Sequence, residues 1–167
     1  MRKLLPFSLL LIIGGLIIAD QIPFTDGRTP AKRFEEGMNF VEFTTYVDPD
    51  LGYSFEYPVF FSREDQPTFG IGHVRFGYHA DSANIVIECR VMPGRFRNGR
   101  KDDDVETGAV DGVDGHRFFT HYVRHQGCWY VLTVYYPDAY RQALERLLYR
   151  VKIWSPFPEM IPSLRQS

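Results

Sequence analysis

Asp102, Asp103, Asp104, Asp111 and Asp114 crowd one Gly-punctuated stretch, and hard carboxylate oxygens are what Ca²⁺ collects, roughly six to eight at a time. They lack the alternating spacing and closing Glu of a hand-type calcium loop, so they read as a solvated acidic loop. His116, His121 and His125 are zinc-ligand types, and on a helix the last two would share a face. The residues around them alternate as a strand does. At ~3.3 Å per residue that places His121 and His125 about 13 Å apart, too far to share a tetrahedral ion, with His116 on the opposite face. Cys128 follows Gln126-Gly127 and would make a thiol nucleophile with His121 or His125 as base. It opens an apolar strand, where a thiol is a small buried hydrophobe, and the chain has no Gly-x-Ser-x-Gly elbow. The expectation is a noncatalytic chain without cofactor or bound metal. Just before the acids lies the most basic stretch, Gly94-Arg95-Phe96-Arg97-Asn98-Gly99-Arg100-Lys101, where an aromatic between arginines suits stacking or an anionic partner. Arg95, Phe96, Arg97, Arg100, Asp102, Asp103 and Asp104 therefore form the candidate partner-binding loop. The aromatic pair Phe60-Phe61, read as exposed, is a second candidate.

The elements that must position these residues are mainly strands. Aromatic residues make up 16% of the chain, a bias toward pleated, half-buried surfaces. Val41, Phe43, Thr45 and Val47 alternate along a first strand, and Tyr53, Phe55 and Tyr57 share a face of the next after the turn chemistry of 48–52. Segments 70–78 and 84–92 predict a second hairpin, and 116–124 with 128–136 a third around Gln126-Gly127. The last arm is apolar on both faces save Thr133, as a central strand is. Residues 93–115 lose all periodicity and read as a long loop. Tyr140, Ala143, Leu144, Leu147, Leu148 and Val151 fall at helical spacing and predict a long C-terminal helix over the sheet, with Lys152-Ile153-Trp154 returning as a strand. Cys89 and Cys128 sit in two strong strand candidates; a disulfide needs Cα atoms within roughly 7 Å, which only one register supplies, so a bridge and two free thiols are both open.

Met1-Arg2-Lys3 followed by an uncharged run from Leu4 to Ala19 has the layout of an export signal. As a helix that run would reach about 24 Å against a hydrocarbon core of about 30 Å, which favours a cleaved signal peptide over a span. Ile17 spoils the usual small-residue cleavage pattern, so an uncleaved N-terminal anchor stays open. Neither cysteine follows the apolar run, as a lipid anchor at the leader would require. The chain is expected to be periplasmic or extracellular. Residues 20–38 read as a linker holding at most one short helix, with Thr29 as cap, Pro30 as first residue and Gly37 as terminator. Residues 39–157 read as one domain and 158–167 as a tail. The formal charge of −2, falling to about −4 without Arg2 and Lys3, offers nucleic acid no attraction.

Three pieces carry a family likeness: Gly52-Tyr53-Ser54-Phe55-Glu56-Tyr57-Pro58, Val113-Asp114-Gly115, and the block Trp129 to Pro137 followed by a helix and Ile153-Trp154-Ser155. Their order resembles the PsbP-like superfamily, with its PsbP, Mog and DcrB-type domains. The resemblance implies an α+β fold with an antiparallel sheet of about six strands and helices packed across it, and it departs at 93–115, where relatives commonly place helix. That superfamily is mostly noncatalytic. The expected function is an exported binding domain for a protein or envelope component, with a small-molecule, glycan or calcium binder as the alternative and an envelope hydrolase as a distant third.

Overall fold

The structure, a computed structural model, describes residues 27–158 except 67, 81, 82 and 98. The expected leader, residues 20–26 of the expected linker and residues 159–167 of the tail lie outside them. Six antiparallel strands form the main sheet in the order β3 (Ser62–Glu64), β4 (His73–Ala80), β5 (Ala83–Pro93), β8 (Cys128–Pro137), β7 (His116–His125) and β6 (Asp103–Ala109). A two-stranded ribbon, β1 (Phe43–Val47) with β2 (Ser54–Pro58), and two helices, α1 (Pro30–Phe40) and α2 (Glu145–Lys152), complete the described chain. The class is α+β, as expected. No helix among the described residues is long and apolar enough to cross a membrane.

Alternation along the strands decides which face is covered. Ile85, Ile87 and Cys89 of β5 and Tyr130, Leu132 and Val134 of β8 join the core with Tyr53, Phe55, Leu144, Leu147 and Val151 from the ribbon and the α2 region. Edge-on and stacked aromatics fill the space between ribbon and sheet, with Tyr57 stacked on Phe76 at 4.0 Å and Tyr46 edge-on to the same ring at 5.5 Å. Helices and ribbon all lie on this one face. The residues between, Val86, Glu88, Val131 and Thr133, belong to the other face, which among the described residues only one short crossover covers.

Four expectations are corrected. The short helix expected within 20–38 does not stop at Gly37: it is α1, and Phe34 and Met38 bury it against the sheet domain. A glycine inside a helix costs about 1 kcal/mol. Burial of Met38 returns roughly 1.5–3, and Arg146 donates from one Nη to the carbonyls of Met38 and Asn39, so the helix runs through Gly37 to Phe40. The C-terminal helix is short: after a 3₁₀ turn at Asp138–Tyr140 and looser turns at 141–144, only Glu145–Lys152 is α-helical. The stripe is buried all the same, save for a half-buried Leu148. Ile153-Trp154 adds no strand; Trp154 is buried and its indole donates to Ser54 O at 2.7 Å. In β1 it is Tyr46 that turns to the core while Val47 is 59% exposed, because Tyr46 has Phe55 opposite and Phe76 beneath.

Candidate functional site

The strand order builds the site. Two strands separate β5 from β6, so the chain leaving β5 must pass over the ends of β8 and β7 to reach the far edge. It does so on the uncovered face, where a 3₁₀ turn, Gly94–Arg97, leads off toward β6. Gly94 is required there: a Cβ would stand 2.3 Å from the Gly127 carbonyl oxygen in the β7–β8 turn. Trp129, fully buried beneath the crossover, donates its indole N–H to Gly94 O at 3.0 Å. Arg97 lays its guanidinium 3.6 Å from the centroid of Tyr122 and pairs with Asp104 at 2.8 Å and Glu106 at 3.1 Å. The crossover is thus fastened at both ends.

Between it and the sheet lies a groove of about 290 Å³. Its floor is set by register. Glu64, Arg75, Glu88, Thr133, Thr120 and Glu106 stand in one row across all six strands, a polar line through a face otherwise bearing Val86, Val131, Phe118 and Tyr135. Glu88 is 3% exposed and its Oε1 accepts from His73 Nε2 and from Arg90 Nε at 2.6 Å and Nη2 at 2.5 Å. Phe69 packs on the His73 ring at 3.9 Å. Thr120 and Thr133 share a buried hydroxyl hydrogen bond of 2.9 Å. Phe118, Tyr122, Tyr135 and Phe96 supply the aromatic walls. Phe118 lies across Gly108, its register partner on β6, where a Cβ would meet the ring at 2.8 Å. Burial, and after it the charge of Glu88, raises the Tyr135 phenol above its ordinary value; burial and then Glu106 raise Tyr122, against Arg97. Both hydroxyls therefore stay protonated and able to donate.

The expected partner loop is only partly a loop. Asp103 and Asp104 begin β6, and each acid has a basic partner: Asp102 with Arg124, Asp103 with His121, Asp104 with Arg97. They do not converge, and Asp111 and Asp114 are exposed in the β6–β7 turn. Phe96 and Arg97 reach the groove, whereas Arg95 and Arg100 face solvent on the crossover. The three histidines separate as their strand demands. His116 Nδ1 meets Asp114 O, His121 donates to Val151 O at 2.7 Å and Asp103 Oδ1 at 2.8 Å, and His125 packs on Phe157 at 4.5 Å. No group of three or more ligand-type residues is gathered among the described residues. His125 stands opposite Cys128 in register, but its ring is spent on Phe157. Cys89 and Cys128 are free thiols: their register partners are Leu132 and Pro93, which sets them four positions apart, about 13 Å and beyond disulfide reach. Phe61 is buried at 4%, leaving Phe60 alone at the surface. The residues missed by sequence reading are Glu88, Arg90, Thr120 and Thr133. A carboxylate and a threonine interrupting otherwise apolar strands were the available signal.

A second, larger cavity of about 510 Å³ lies where α1 meets β4, walled by Phe34, Phe40, Phe60, Tyr78 and Tyr140. Arg33 is the one charged residue among its described lining residues, which have little with which to orient a ligand. The chain matches no family model, and no curated protein matches it.

Proposed function

We propose that the chain is an exported, noncatalytic binding domain that takes an envelope component in the groove between the crossover that begins at Gly94 and the outer face of the sheet. One observation carries this reading: a buried carboxylate held by His73 and Arg90 lies at the floor of an aromatic-walled groove roofed by the chain's most basic segment. Nothing about packing requires a carboxylate there, since β5 buries its other face with Ile85, Ile87 and Cys89. Buried charge is costly to retain for stability alone. His116 and His121 are hydrogen-bonded elsewhere, the His125 ring packs on Phe157 and Cys128 packs against the core, which favours binding over nucleophilic catalysis. Export rests on the leader, and a place in the PsbP-like superfamily rests on the shared order of hairpins and closing helix.

A deletion that removed the crossover over 95–112 would take all of β6 with it, so point variants make the better test. Arg90 is 50% exposed and Phe96 46%, and both rim the groove. In affinity capture from the native envelope fraction, Arg90→Glu with Phe96→Ala is expected to lose a component that the unaltered chain and a Phe40→Ala control both retain. Retention by all three, or loss by all but the unaltered chain, would overturn the site.

A further inference from the structure

We infer that the groove is a subsite for a neutral sugar ring; this rests on the binding reading above and names its ligand. The charges there are closed on one another. Arg90 is paired with Glu88, Arg97 with Asp104 and Glu106, and Arg75 lies 3.5 Å from Glu64, so neither an anion nor a cation finds an uncompensated partner. A quaternary ammonium would meet a Glu88 carboxylate already compensated by Arg90, and Arg97 already occupies the ring face of Tyr122.

What remains open is a matched donor and acceptor. His73 and Arg90 both use Oε1 of Glu88, and the other oxygen takes no hydrogen bond among the described residues. Arg90 spends Nε and Nη2 on that carboxylate and stays half exposed, with N–H groups to spare. A hydroxyl is the group that both donates and accepts, and adjacent ring hydroxyls would meet carboxylate and guanidinium together. The apolar face of a pyranose would lie on an aromatic wall. Neither Phe96, Phe118 nor Tyr135 meets another aromatic ring among the described residues, in contrast to the rings of the core. A peptide main chain fits worse, because β5, β8 and β7 are hydrogen-bonded on both sides and offer it no free backbone edge. The volume sits at the lower end of the ~300–1,000 Å³ range of small-ligand sites, suited to one or two rings of a longer glycan.

The test is calorimetric titration of the full-length chain with cellotetraose, chitotetraose and maltotetraose at millimolar concentration. Saturable binding of at least one is expected. It should weaken tenfold or more in Phe118→Ala and in Arg90→Ala, with Arg33→Ala at the other cavity unchanged; thermal midpoints of the variants establish that they are folded. No saturable heat with any of the three, or equal binding by the unaltered chain and both groove variants, would overturn the sugar assignment. The envelope capture separates the two claims. If Arg90→Glu with Phe96→Ala still loses its component while no sugar binds, the ligand is wrong and the site stands; if capture is also unaffected, both fall.

Discussion

His121 shows how much one side chain can be asked to hold. It is 2% exposed, and it donates to a carbonyl at the end of α2 and to a carboxylate at the start of β6, neither of which can donate back. His121→Ala strands the Val151 carbonyl and opens a cavity, and we expect a loss of about 1–3 kcal/mol in urea unfolding from the unmet polar group alone. Asp103→Ala should cost under about 1 kcal/mol, because that carboxylate is 76% exposed and can be replaced by water. Equal losses in the two variants would mean that the ion pair, and not the bond to α2, fastens this corner. From sequence, His121 was one of three metal-type residues; its true partner is thirty positions away and had no local signature.

At the scale of elements, legibility followed burial. The hairpins β4–β5 and β7–β8 were readable because their inner faces are apolar at every second residue and Gln126-Gly127 supplies two positive φ angles for the turn. β6 was not, because an edge strand exposed on both sides needs no apolar alternation and is safer with charges; Asp103-Asp104-Val105-Glu106 reads as loop for that reason. The groove was invisible for a different reason. Its polar row is made by register across six strands, and register is a product of turns and strand order that no local window contains. The crossover that roofs it can be tested directly. Gly94→Ala forces a methyl against the Gly127 carbonyl, which is backbone and cannot step aside, so the crossover must lift. A loss of about 1–3 kcal/mol is expected, with faster amide hydrogen exchange confined to 94–104. Unchanged exchange there would show that Arg97 alone holds the crossover down.

The whole molecule is an asymmetric sheet: one face sealed by aromatic packing, the other left to the groove. That seal makes the fold sensitive to alkali in a definite direction. Burial, reinforced by the neighbouring Asp48 carboxylate that accepts from its hydroxyl at 3.2 Å, pushes the Tyr46 phenol up to about 12. Burial likewise raises Tyr53 and the Cys89 thiol, which lie beside each other in the same core. Each group is neutral when folded and loses its proton more readily when unfolded, so above the ordinary phenol value of 10.0 the unfolded chain binds fewer protons than the native one. Stability from these groups is complete below the unfolded values, begins to fall where the free thiol ionises near 9.0, and for Tyr46 is lost between about 10 and 12. Urea midpoints should therefore fall steeply from pH ~9 to ~11, and phenolate absorbance from the core tyrosines should rise together with unfolding and not before it. Tyr46→Phe removes one ionising group while keeping the ring against Phe55 and Phe76, and it should flatten the upper part of that decline. A midpoint independent of pH over this range would mean that the ribbon opens locally to let these groups ionise, and that the sealed face is less cooperative than its packing implies.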